Sequence, residues 1–241
     1  MSNSEFEFRD FIGEVENMRR LAVHGKFVDS VSAERLSQYK EQIECAKLNV
    51  SPTRPGIIEI PKDLPVASTL SAGDYQPNKT EKRTIVGQIA TRWMIRPLGV
   101  RKKTGYKRFI VDPSSEAATT QLRIVSGEDL VLLAEWHSDI RPVGGLGCCF
   151  HTQVLGKSDD PPFPAYLDIP RFPDPFITPM AAFEFLLGEL FPERWKEFVS
   201  GTAQCVGEWR ESQKRRWIEN LSNVKTLVSH SESTPWVSIR T

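Results

Sequence analysis

Apolar side chains return every third or fourth position in two stretches of the first fifty residues. Over residues 6–24, Phe8, Phe11, Ile12, Val15, Met18 and Ala22 fall on one face, the period of an amphipathic helix. Gly25 follows His24 and suits its C-terminal cap. A second helix is predicted over 32–48. Ser32 is its N-cap, Glu34 sits in the first turn, and Leu36, Tyr39, Ile43 and Ala46 face inward. Residues 1–50 therefore read as a helical hairpin.

The pattern breaks over 51–80. Pro52, Pro55, Pro61, Pro65 and Pro77, with Gly56 and Gly73, exclude a long helix. This stretch reads as a Pro-rich linker in which Ile57–Ile60 forms a short edge strand. From 81 onward the signal is that of strands: Thr84–Trp93, Tyr106–Val111, Thr120–Val125, Leu130–Asp139 and Cys149–Leu155. They are rich in β-branched and aromatic residues and separated by turn clusters. Such short connections predict an antiparallel meander of about five strands.

Residues 157–179 hold seven of the 17 prolines, interleaved with Phe163, Tyr166, Phe172 and Phe176. The run reads as an extended strap laid on the sheet or helices, or as a docking segment for a partner. Thr178-Pro179 then marks a helix start, and Phe183, Leu186, Leu187, Leu190 and Phe191 give that helix a buried face. Pro192 restarts it with Trp195, Phe198 and Val199, and Gly201 ends it. The last helix runs to about 225, with Val206, Trp209, Ile218, Leu221 and Val224 expected inward. Trp236, Val237 and Ile239 suggest a final strand. The predicted class is α+β: a helical hairpin at 1–50, a linker at 51–80, and a core domain at 81–241 whose antiparallel sheet carries the C-terminal helices.

Composition narrows the classes without naming a function. The chain has 241 residues, 39% hydrophobic and 26% charged, which are ordinary globular values. No stretch approaches the roughly 18 apolar residues of a membrane span, and the acidic N-terminus lacks the apolar centre of a secretory signal. Cys45, Cys148, Cys149 and Cys205 form no CxxC pair. They read as reduced thiols, mostly buried, in a cytoplasmic protein. Phosphate-binding glycine loops, the GxSxG elbow, HExxH and Ca²⁺ loops are all missing, so no cofactor is predicted.

The charge total conceals a segregation. Lys+Arg and Asp+Glu each number 31, yet between Glu81 and Arg108 nine cationic residues stand against Glu81 alone. Arg96, Arg101, Lys102, Lys103, Tyr106, Lys107 and Arg108 cluster at the predicted hairpin tip, with Trp93 just before it. Cations can neutralise phosphates and aromatic rings can stack on bases, which points to nucleic acid or another polyanion. The competing readings are a solvated tip or a contact with an acidic protein partner. Arg210, Lys214, Arg215 and Arg216 form a second cluster, read as a solvated helix face.

A polar ladder gives the second candidate site. If the turn near Gly144 is central, Glu135 faces Gln153, His137 faces His151 and Asp139 faces Cys149. All six then share one sheet face. His137 and His151 could act as general base and acid on an ester or phosphodiester, oriented by Asp139 or Glu135. His137, Asp139, Cys149 and His151 are also competent zinc ligands. The bland alternative is a hydrogen-bonded structural face. His24 and His230 read as surface residues. The favoured reading is a non-catalytic binding module of a larger complex, contacting nucleic acid or a polyanion together with a protein partner. The alternative is a small hydrolase or nuclease built on His137 and His151.

Overall fold

Both predicted N-terminal helices are present in the computed structural model, which describes residues 5–72, 83–112, 118–140, 150–155, 172–173 and 178–229. A short strand, β1 (Glu5–Glu7), leads into α1 (Phe8–His24), which buries Phe8, Phe11, Val15, Met18, Leu21 and Ala22. The second helix, α2 (Ser30–Asn49), begins two residues before the predicted start. Its cap is Asp29, whose carboxylate accepts from the Ser32 N–H at 2.7 Å, a favoured arrangement for an aspartate at this position. Ser32 is therefore not the cap. Its hydroxyl accepts instead from the Ala67 N–H at 3.1 Å.

Among the described residues nine strands form one antiparallel sheet. Besides β1 these are β2 (Gly56–Ile60), β3 (Val66–Ala67), β4 (Ile85–Leu98), β5 (Arg108–Val111), β6 (Ala118–Ser126), β7 (Leu132–Ile140), β8 (Phe150–Leu155) and β9 (Phe172–Pro173). All five predicted strands are present, but they do not form a simple meander. β4 spans 14 residues and holds two partners end to end on each side. Ile95 pairs with Val111 of β5, and Thr91 with Thr120 of β6. On its other side, β2 pairs with residues 91–95 and β3 with Gln88 and Ile89. The order then continues β6–β7–β8–β9.

Two strands thus come from the Pro-rich stretch, and α2 covers their outer edge. The Gln42 amide donates to the Glu59 carbonyl at 3.0 Å and accepts from the Glu59 N–H at 2.9 Å. Arg35 donates to the Pro65 carbonyl. Ser32, Arg35 and Gln42 satisfy backbone groups that an exposed edge strand would leave open.

The helices pack on one sheet face. Ile85, Ile89, Trp93 and Ile95 of β4 are buried there, and the Phe11 ring stacks 5.5 Å from Trp93. Helix α3 (Pro179–Leu190) starts at the predicted Thr178 cap and presses close to Gly87, where a Cβ would lie 2.4 Å from Leu190 Cδ1. The chain continues as α4 (Pro192–Val199) and α5 (Gln204–Ser229). Val206 and Trp209 are buried as expected. Ile218 and Leu221 are not: they are 68% and 58% exposed. Among the described residues nothing covers Ile218 and Leu221, because helical periodicity marks an apolar stripe and not what covers it; the Val224 side chain lies outside the described residues. The opposite sheet face carries the polar alternates Gln88 and Arg92 of β4, Thr119, Gln121 and Arg123 of β6, and Glu135, His137 and Asp139 of β7.

Most of the strap at 157–179, Cys148 and Cys149, His230 and the final strand expected at 236–239 lie outside the described residues. Of the other thiols, Cys205 is buried but Cys45 is exposed on α2. Among the described residues no helix is long and apolar enough to cross a membrane.

Candidate functional site

The basic tip is a tight turn in which Lys102 and Gly105 exchange backbone hydrogen bonds of 3.1 and 3.0 Å. Gly99 and Gly105 both have positive φ, +80° and +88°, the region that favours glycine. The turn docks on the C-terminal end of α2. Arg101 Nη2 donates to the Leu48 carbonyl at 2.8 Å, and the Tyr106 N–H to the Lys47 carbonyl at 3.1 Å. These contacts satisfy carbonyls that a helix end leaves open and place positive charge at the negative pole of the helix.

Several of the sequence-predicted binding residues are engaged elsewhere. Arg96 pairs with Asp112 at 2.5 Å, Lys107 with Glu7 at 3.0 Å, and Arg108 with Glu5. The acids of β1 are remote in sequence from the tip, so only the fold reveals that they neutralise Lys107 and Arg108, whereas Asp112 follows directly on β5 of the same hairpin. The aromatic stacking face is also absent. Tyr106 is buried beneath α2, and Trp93 lies five residues inside β4 against Phe6 and Phe11. Arg101, Lys102 and Lys103 stay exposed and make no ion pair with a described residue. Two cations not nominated from sequence join them. Lys47 lies in the last turn of α2, and Arg54 lies in the Ser51–Arg54 turn whose Pro52 carbonyl accepts from Arg96 at 3.1 Å. They form a cationic collar around the end of α2.

The polar ladder exists in a different register. Glu135 pairs with Leu155, His137 with Gln153 and Asp139 with His151. The predicted pairing of His137 with His151 and of Asp139 with Cys149 is therefore displaced by two residues. The number of residues between β7 and β8 does not reveal where their turn is centred. A shift of two preserves the period-2 face, so the ladder positions still share one side. His137 and His151 become diagonal neighbours, with backbones about 7–8 Å apart. The neighbour on the other side went unpredicted: β6 places Thr119, Gln121 and Arg123 opposite Asp139, His137 and Glu135. Their alternation in β6 was the available signal.

Glu135 organises this face. It is buried, 7% exposed, and its Oε1 lies 2.6 Å from His137 Nε2. A carboxylate accepts, so Nε2 is the donor in this contact, and in the neutral tautomer with its proton there Nδ1 is the acceptor. Glu135 Oε2 faces Arg123 Nε at 3.3 Å and Lys62 Nζ at 3.9 Å. Lys62 reaches it because the β2–β3 connection folds over the polar face. Pro61, Lys62 and Asp63 there border a groove of about 490 Å³, walled also by Arg92, Thr119, Gln121 and His137. Arg92 pairs with Glu59 at 3.6 Å. Among the described residues no group of three or more His, Cys, Asp or Glu is arranged to hold a metal. Cys149 and the His151 side chain lie outside them.

The helical side holds a second buried carboxylate. Glu14 accepts from Arg216 Nε at 2.6 Å, from Gln213 Nε2 at 3.5 Å and from the Thr178 hydroxyl. Arg216 is therefore a buried partner rather than part of a solvated face. Lys214 pairs with Glu211 at 3.0 Å and Arg215 with Asp10 at 3.2 Å. Burial pushes the Glu184 carboxyl above its usual range, opposed by the Trp209 N–H and reinforced by the Glu14 charge. Burial likewise raises the Tyr39 phenol, with Glu14 adding to the effect. Glu184, Trp209, Trp217 and Ile218 border an apolar groove of about 460 Å³ along α5.

No protein-family model matches the chain, and no curated protein or solved structure matches it either.

Proposed function

We propose that this chain is a non-catalytic binding module that engages nucleic acid, or a polyanion of similar charge density, as part of a larger complex. The observation that carries this reading is the collar of Lys47, Arg54, Arg101, Lys102 and Lys103. Three separate segments bring five cations to one helix end, and none is neutralised by a described acid. The negative pole of α2 offsets part of this gathered charge, and a phosphate backbone would supply the rest while releasing its own counterions. The fold uses nearby acids to neutralise Arg96, Lys107 and Arg108, so the collar is what remains for a ligand.

The test replaces Arg101, Lys102 and Lys103 together by Ser and titrates labelled 20-mers at several salt concentrations. The expected result is weaker binding for every sequence and a salt slope reduced by about 2–3, at roughly 0.7–0.9 per lost contact. An unchanged slope in the triple variant, or a parent that fails to bind at low salt, overturns the reading. A second reading, a hydrolase or nuclease, draws on the 2.6 Å Glu135–His137 contact, which orients one imidazole as a base. Oligonucleotides recovered shortened from the same mixtures would favour it, and intact ones would count against it.

A further inference from the structure

We infer that the groove on the polar sheet face is a nucleobase subsite, and that the strand held by the collar is single-stranded. This inference rests on the collar reading and adds the substrate class. Its first support is position. Arg96 joins the collar to the sheet, since its guanidinium donates to Pro52 in the Arg54 turn. Four residues along β4 on the same face stands Arg92, in the wall of the groove. At about 3.3 Å per residue the separation is about 13 Å, a span that a few nucleotides cover. A strand leaving the collar along β4 therefore meets the groove.

The second support is a division of charge. The collar is cationic and unneutralised. The charged side chains lining the groove balance, Lys62 and Arg92 against Glu59 and Asp63, and Arg92 pairs directly with Glu59. A phosphate gains little from such a balanced site. A neutral heterocycle with donors and acceptors on its edge is the better occupant. Gln121 and Thr119 offer an amide and a hydroxyl, and His137 offers an acceptor at Nδ1 because Glu135 holds the proton on Nε2. These are the groups that read the edges of unstacked bases. Phosphate contacts position the strand, and base contacts discriminate. The groove, at about 490 Å³, falls within the size range of small-ligand pockets. Bases in a duplex are stacked and paired away from such a groove, which is why the ligand is single-stranded.

The experiment measures binding of the full chain to labelled single-stranded homopolymers of dA, dT and dC, and to a mixed-sequence duplex of equal length. Single strands are expected to bind more tightly than the duplex, and one homopolymer about tenfold more tightly than the others, the factor worth one good base contact. Gln121→Glu and His137→Ala should each erase that preference while leaving the salt slope as in the parent. Gln121→Glu nearly conserves shape, so it also serves if His137→Ala folds poorly. Arg101, Lys102 and Lys103 replaced by Ser should do the reverse, flattening the slope and keeping the preference. A parent that binds but shows no homopolymer preference, or tighter duplex binding, or groove variants that keep the preference, overturns the subsite and leaves the collar reading standing. Heparin competing as well as the preferred homopolymer overturns it in the same way. A parent that binds none of these polyanions overturns the collar reading itself.

Discussion

The helical layer and the polar sheet face each bury a carboxylate among cations, Glu14 and Glu135, and the two sites are built differently. Glu14 is 1% exposed and is enclosed by Arg216, Gln213 and Thr178, each from another helix or its cap. Thr178 is buried and Arg216 nearly so, while Gln213 borders the apolar groove along α5, so the cluster ties α1, α3 and α5 together beside that groove. Glu135 is nearly as buried, but its partners differ: His137 lines a groove, and Lys62 reaches it from an exposed loop. Burial of a charge is thus no guide to function by itself. What separates the two is the groove beside each, apolar along α5 and lined by charged and polar groups on the sheet.

The largest effect that could break this contrast is on stability. Glu14→Gln removes the charge that Arg216 is buried to meet, and breaking such a pair costs about 3 kcal/mol or more. Chemical denaturation should show that loss. A much smaller one would mean that the cluster relaxes to water and is not an interior tie.

Gly105 sits at the docking of the tip on α2, beside the collar. Its φ is +88°, and a Cβ would stand 2.4 Å from the Lys47 carbonyl oxygen. Gly105→Ala should cost about 2 kcal/mol, combining left-handed strain with a backbone clash, and should weaken polyanion binding by displacing Arg101. A variant as stable as the parent would show that the tip is not seated on the helix.

The smallest effect is expected at Glu135. Glu135→Gln should cost about 1–2 kcal/mol, because the exposed Lys62 regains water when released and only the part-buried Arg123 is left without its partner. Its larger consequence should be the loss of homopolymer preference as His137 is freed to turn. A stability loss equal to that of Glu14→Gln would erase the distinction between the two carboxylates and mark Glu135 as structural.

Periodicity located the elements because it depends on local geometry alone. Helices recur at 3.6 residues and strands at 2, so α1, α2, the helix start at Thr178-Pro179 and all five predicted strands could be read from residue order. The same parity put Glu135, His137 and Asp139 on one face whatever the register. Contacts between distant segments could not be read this way. The β1 acids that neutralise Lys107 and Arg108, and Lys47 and Arg54 that complete the collar, approach only when β1, α2 and the β4–β5 hairpin assemble. Nor could the pairing of His137 with Gln153, or the exposure of Ile218 and Leu221, be read from residue order. The sequence by itself determined which residues form helices and strands and which share a face, because those are short-range consequences of backbone geometry and side-chain polarity. Only the tertiary structure decided which charges remain free and which imidazole faces a groove, because an electrostatic partner is defined by distance in space and not by separation along the chain.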